Sequence, residues 1–395
     1  MKNWKSPTIY GEGGGNSDSK AIYLLRFPLA VMVICIHCYL PSSSNYLIIL
    51  LSHVLSHIAV PLFFIISGYF FFTKIHAWDW NIWFDKINKR FKTLLLPYFL
   101  WIILFIVYSF IPSYIKGIIV DNHVSFFDWF INHDGFHMFW DSYEWDTDRV
   151  DIWGNTAINS APILVPFWFM RDLMVAVCLT PLFHTLLRPR ESLGVRFFPL
   201  IILFCLGLLF LTSTSLIVPG FSSLTFFFFG LGAYFQLHNK SLVAFVSKYS
   251  LHISIIASVL LVLNVLFDGK NTELGLYFYN PWVIFGVCAA LYLSSKLTKI
   301  RSTFVSWIIE KSDCTFFLFA VHAFLIPYIK MFINLIFSRF VSESDIFCVS
   351  FGCQHPIIYS LIYIMVILTT ITLSILIFKF CQKYFPRIYN MLTGR

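Results

Sequence analysis

The sequence predicts an all-α membrane protein, a polytopic bundle of about ten transmembrane helices with both termini cytoplasmic. Three observations predict it. Hydrophobic residues make up 58% of the chain and charged residues 12%, with a mean hydropathy of +0.76, whereas soluble domains carry about 25% charged residues. Apolar runs near the length that crosses hydrocarbon recur from one end to the other. Lys and Arg are abundant in alternate connections and scarce in the others, which is how membrane proteins set orientation.

A polar N-terminal tail, residues 1–20, precedes a transmembrane domain that occupies 21–395. The tail is rich in Gly and Ser, and no small-residue cleavage site follows the first apolar segment, so that segment reads as an uncleaved span. Ten apolar segments can be drawn at 21–40, 46–73, 94–112, 161–187, 197–212, 216–237, 250–267, 278–295, 313–337 and 357–380. The fifth is the shortest and the least secure.

The charges sort by side. Lys2, Lys5 and Lys20, then Lys74, Lys86, Lys89, Arg90 and Lys92, then Arg188, Arg190 and Arg196, fall on one side, with Lys240, Lys248, Lys296, Lys299, Arg301, Lys311 and the basic tail. The other side holds only Lys116, Arg149, Lys270, Lys330 and Arg339. The basic side is cytoplasmic by the positive-inside rule. A net charge of +8 spread this way serves topology and the lipid bilayer, not nucleic acid. One long outer connection, 113–160, is acidic and carries Trp129, Trp140, Trp145 and Trp153. Indole faces can stack on sugar rings or sit in an interfacial belt. Cys348 and Cys353 in a later outer loop are compatible equally with a small disulfide loop and with two free thiols.

Candidate chemistry begins in the first segment, where Arg26 and His37 stand eleven positions apart. Eleven helical steps of about 100° return to nearly the same face, roughly 16 Å further along. Ionisable groups are costly in hydrocarbon and need a polar partner or cavity. Arg26 reads equally as a snorkelling anchor. His37 reads as an interhelical histidine or as a general base.

The second segment carries Phe63-Phe64-Ile65-Ile66-Ser67-Gly68-Tyr69, where Gly68 allows close backbone approach. His53 and His57 share a helical face, but no third ligand accompanies them, so no metal is expected. The fourth segment holds Trp168-Phe169-Met170-Arg171-Asp172-Leu173. Adjacent helical residues point in different directions, so Arg171 and Asp172 are not expected to neutralise each other, and both should border a polar cavity. Lys89-Arg90-Phe91-Lys92-Thr93 suits phosphates, lipid headgroups or topology alone. His322, late in an apolar segment, reads first as a structural histidine.

In this order the motifs resemble the acyltransferase-3 family of integral membrane acyltransferases: Arg26 and His37, Phe63 to Tyr69, Trp168 to Leu173, and the segment reaching His322. The resemblance implies about ten helices and acyl transfer, commonly of acetyl, from cytoplasmic acyl-CoA such as acetyl-CoA. The acceptor it implies is a hydroxyl of a carbohydrate or lipid-linked glycan at the outer face of the cell membrane. It implies that His37 and Arg26 are needed for activity; with Arg171 and Asp172, whose charges a membrane interior would not hold idly, they are the candidate catalytic residues. Arg26, Lys89, Arg90 and Lys92 become candidates for holding the donor. Trp168, His322, Ser67 and Tyr69 become candidates for holding the substrate. The chain departs from the family pattern where Arg-x-x-Arg follows the second helix: Arg90 is followed by Thr93, with Lys89 and Lys92 nearby. Lysine supplies charge without the bidentate fork. The rival readings are a multipass transporter or flippase for a polar substrate, and a non-catalytic membrane scaffold.

Overall fold

The computed structural model describes residues 16–38, 45–73, 75, 78–120, 124–145, 159–192, 194–212, 218–300, 302–337 and 356–395. Cys348 and Cys353 lie outside the described residues, as do Lys2, Lys5, Lys74, Arg149, Trp153, Arg301 and Arg339.

Helices carry the fold. Among the described residues, six are long and apolar enough to cross a membrane, or up to eight if each of two bent pairs counts as one span. The two remaining apolar segments, predicted at 197–212 and 216–237, form the shorter helices Phe198–Leu211 and Ser223–Leu237. Six to eight of the ten segments drawn from the sequence thus form helices of spanning length among the described residues, and the other two form shorter apolar helices. Apolar length alone does not distinguish a full crossing from a short or bent helix packed inside the bundle.

α1 (Asn16–His37) is the axis of the assembly. It packs against α2 (Ala59–Phe71), and against the helices at Glu273–Leu297, Thr303–Lys311, Thr315–Phe337 and Pro356–Tyr384. Leu29, Ala30 and Ile34 on it are fully buried. The ten residues immediately before α2, 49–58, depart from α geometry. Ile49–Val54 is a π turn and Leu55–Ile58 a 3-10 turn. Pro61 has no N–H to donate to the turn before it, which favours such a break.

α3 (Trp80–Arg90) runs through a π turn at Phe91–Leu95 into α4 (Leu96–Ile119). The Lys86 to Lys92 connection predicted as a loop is therefore helical, and the long connection predicted from residue 113 begins only after Ile119. Lys86 explains part of its own placement: its ammonium donates to the carbonyls of Phe71 at 2.5 Å and Thr73 at 2.9 Å, closing the C-terminal end of α2. The outward face of α4, with Ile103, Leu104, Val107 and Ile111, stays exposed, as suits a face that meets acyl chains. In the long connection, α5 (Phe126–Asn132) is followed by a two-stranded antiparallel ladder. There β1 (Tyr143–Trp145) pairs Glu144 with Ser160 of β2 (Asn159–Ala161).

α6 (Trp168–Cys178) and α7 (Thr180–Leu187) form one of the bent pairs, at 61°. After α8 (Phe198–Leu211) comes α9 (Ser223–Leu237), which holds the Phe226–Phe229 run. Phe228 and Phe229 are fully buried. α9 lies directly on α2, and glycine makes this possible. A Cβ on Gly68 would lie 2.1 Å from the Phe229 carbonyl oxygen, and one on Gly232 would lie 2.1 Å from that of Ile65. Both neighbours are backbone and cannot swing aside. Gly68→Ala is expected to destabilise by about 1–3 kcal/mol through overpacking. The check is the midpoint of thermal loss of the monodisperse peak in detergent; an unchanged midpoint would refute the close crossing.

α10 (Leu242–Lys248) and α11 (Ser250–Leu266) are the second bent pair, at 81°. α12 (Glu273–Leu297), α13 (Thr303–Lys311), α14 (Thr315–Phe337), α15 (Pro356–Tyr384) and α16 (Pro386–Thr393) complete the chain.

Candidate active site

His37 is the last residue of α1, and Arg26 lies on the same uninterrupted helix. The positions between them on that stripe, Ala30 and Val33, are small and buried. At the far end, the His37 ring meets the ring of His322 from α14, with centroids 5.1 Å apart and planes tilted by 40°. His322 is fully buried. Its Nδ1–H donates to the Leu318 carbonyl one turn earlier, at 3.3 Å. A carbonyl can only accept, so in the neutral ring Nε2 is left as an acceptor. That Nε2 is buried without a hydrogen-bond partner among the described residues. Buried polar atoms are rarely left so.

Aromatic rings join the sequence motifs into one site. Phe63 of α2 stacks on Phe169 of α6 at 5.9 Å, and Phe169 meets Phe319 of α14 edge-on at 4.8 Å. Phe319 in turn lies 5.9 Å from His322. Motifs separated by hundreds of residues thus converge on the histidine pair. Lys330 belongs here too. The charge pattern counts it among the outer-side cations; it lies in α14, and its ammonium donates to the His37 backbone carbonyl at 3.4 Å. A lysine at the C-terminal end of α1 suits the helix dipole. The signal was available: Lys330 falls inside a predicted apolar segment, where a cation demands an explanation.

Arg171 and Asp172 correct the expectation that neighbours cannot pair. Arg171 Nε donates to Asp172 Oδ1 at 3.0 Å, and Nη2 lies 3.0 Å from the same oxygen. Both side chains are buried. The long arginine side chain folds back over one residue, which Cβ directions alone do not reveal. Its Nη1 donates to the Trp140 carbonyl at 2.7 Å and to Ser160 Oγ at 3.1 Å. Thr225 of α9 donates to Asp172 Oδ2 at 3.4 Å. All three guanidinium nitrogens thus face protein acceptors, and the pair ties the long connection to α6.

Tyr69 donates its hydroxyl to Asp18 at 3.0 Å. Asp18, which the sequence reading did not single out, also accepts from Ser241 Oγ and from the N–H groups of Leu242 and Val243 at the start of α10. This is anion binding at a helix N-terminus, supplied from within the chain. Ser67 and Trp168 are half-buried.

The other end of the stripe is cationic. The Arg26 guanidinium lies over the Tyr23 ring at 4.8 Å, and among the described residues it makes no hydrogen bond or salt bridge. Arg90, Asp313 and Arg395 are within electrostatic reach of it. Arg90 is half-buried, whereas Lys89 and Lys92 are exposed. Of the basic run, Arg90 is thus half-buried and within electrostatic reach of Arg26.

His53 and His57 take separate partners, because the π and 3-10 turns place them off a regular α face. His53 Nδ1 lies 2.5 Å from Asp268 Oδ1, and His57 meets the Tyr279 ring edge-on at 5.3 Å. Among the described residues no group of three metal-ligating side chains forms.

A histidine pair lined by aromatic rings, inside a bundle of apolar helices, defines a multi-pass membrane protein with titratable chemistry in its interior. The family model described as an acyltransferase domain matches residues 19–379. The chain belongs to the acyltransferase-3 family and is a membrane acyltransferase. No curated protein and no solved structure matches it.

Proposed function

We propose that the protein transfers an acyl group, acetyl in the first instance, from cytoplasmic acyl-CoA to a hydroxyl of a carbohydrate or lipid-linked glycan at the outer face. The reading takes both termini as cytoplasmic, in keeping with the distribution of Lys and Arg. One observation carries it: α1 holds at its middle a guanidinium, Arg26, that makes no hydrogen bond or salt bridge among the described residues, and eleven positions further on, at its C-terminal end, one member of a histidine pair. In this reading Arg26 and Arg90 hold donor phosphates, with Lys89 and Lys92 adding charge at the surface. The thioester arm extends along α1 toward His37.

The chemistry is general-base acyl transfer. The rings are 5.1 Å apart, so a side-chain rotation would bring the His37 N–H to the His322 Nε2 that the structure leaves without a partner among the described residues. The other His37 nitrogen then takes the proton of the acceptor hydroxyl as its oxygen attacks the thioester carbonyl. The C–O bond forms, the C–S bond breaks, and the departing thiolate receives that proton from the imidazolium. Lys330 fixes the end of α1 and places positive charge near the developing oxyanion. Arg171 and Asp172 act by holding the long connection, with its indoles, over the acceptor side. Ser67 and Trp168 border the substrate, while Tyr69 acts through Asp18.

The test is thiol release. Purified protein in liposomes, given acetyl-CoA and a glycan acceptor, is expected to liberate free CoA and to acylate the glycan. Arg26→Ala is expected to raise the KM for acetyl-CoA by about tenfold or more, the worth of one charge-assisted contact. Uptake of glycan without thiol release would instead establish transport.

A further inference from the structure

Arg395 lies beyond residue 379, where the family match ends, so the family assigns it no role. Three contacts bring it to the cationic end of the bundle. Trp101 of α4 donates its indole N–H to the Leu392 carbonyl at 2.9 Å, seating α16 on α4. Gly394 then turns with φ +66°, a conformation open to glycine. A Cβ there would lie 2.5 Å from the Thr93 Cα, so this turn touches the residue that follows Lys89-Arg90-Phe91-Lys92. Arg395 itself donates through Nη2 to the Asp313 carbonyl at 2.8 Å and to Asp313 Oδ1 at 3.2 Å. Asp313 sits in the Ser312–Cys314 turn, which packs against α1 near Arg26.

Charge at this end is unbalanced. Arg395 pairs with Asp313, and Arg26 lies within electrostatic reach of both of them and of Arg90. The Arg395–Asp313 pair is open to solvent, with side chains 38% and 60% exposed, and pairs this exposed are weak. A phosphate offers more charge and, like a carboxylate, two oxygens spaced to accept both arms of a guanidinium fork. It can therefore displace Asp313 at little cost.

We propose that Arg395 is a third phosphate-binding arginine of the donor site, held ready by Asp313 and transferred to the phosphates of acyl-CoA when the donor docks. The proposal rests on the donor placement given under Proposed function. It also answers the departure at Thr93: the fork that the basic run lacks there is supplied by a different segment of chain, seated on Thr93 itself.

The experiment compares acetyl-CoA with acetyl-pantetheine, which carries the same thioester but no phosphate, using the full chain in liposomes. Arg395→Ala is expected to raise the KM for acetyl-CoA about tenfold, with kcat little changed and acetyl-pantetheine kinetics unaffected. Arg395→Lys should recover part of the loss, because charge returns without the fork. Asp313→Asn, which loosens the holding contact, should leave the KM for acetyl-CoA unchanged or lower it. An unchanged KM for acetyl-CoA in Arg395→Ala, or an equal rise for both donors, overturns the proposal; the equal rise would make Arg395 a structural clasp. Wild-type protein that releases no thiol from acetyl-CoA overturns the donor reading as a whole, a result distinct from these.

Discussion

His37→Ala is expected to abolish acyl transfer while leaving the protein folded. The rate loss should reach about 10²- to 10⁴-fold, the range for removing a positioned general base. The fold should tolerate the change for reasons visible around the residue. His37 is half-buried at the end of α1 rather than in its packed middle. Its side chain makes a ring contact with His322 and, among the described residues, no hydrogen bond. The Lys330 bond goes to the backbone carbonyl, which alanine retains. The measurement is single-turnover thiol release at matched protein level and matched melting midpoint. A variant that keeps more than roughly a tenth of the wild-type rate would contradict a base role. His322→Ala should lower the rate less, since its proposed part is to orient His37.

Arg171→Met should be the most destabilising substitution of those considered. It leaves Asp172 buried with only Thr225 as a distant donor, and removing one partner of a buried ion pair costs about 3–5 kcal/mol. It also frees the Trp140 carbonyl and the Ser160 hydroxyl, loosening the long connection from α6. The double variant Arg171→Met/Asp172→Leu removes both charges and should regain much of the stability, because no uncompensated charge remains. Its activity separates two roles. Recovered stability with lost transfer would show that the anchored connection serves the reaction. Recovery of both would make the pair structural. Failure of the double variant to regain any stability would refute the ion pair as the source of the loss.

Much of the fold was legible because hydrocarbon imposes a simple rule on sequence. A run of apolar residues can be read as a helix without knowing its neighbours, since backbone polar groups must be satisfied within the helix. All ten predicted segments contain helix within the described residues. Their lengths as spans were less legible. The breaks at Leu179 and Tyr249, and the short Phe198–Leu211 and Ser223–Leu237, depend on what each helix packs against. The site was legible in its parts. Arg26, His37, Phe63, Phe169 and His322 could be named from motifs. Asp18, Lys330, Asp313 and Arg395 could not be given roles, because each acts through a partner remote in sequence. Arg171 and Asp172 were read wrongly as a non-neutralising pair because Cβ direction was taken for the direction of a long flexible side chain.

By itself, then, the sequence determined the membrane class, the positions of the helices, and the spacing that puts Arg26 and His37 on one stripe of α1. These follow from composition and helical periodicity, which are local and additive. Only the tertiary structure decided that His37 faces His322, that Arg90 lies half-buried within electrostatic reach of Arg26, and that Arg395 returns to Asp313. Those outcomes depend on which helix crosses which, and at what height. Here the crossing is set by contacts such as Gly68 against the Phe229 carbonyl, where a single methyl group would force the helices apart.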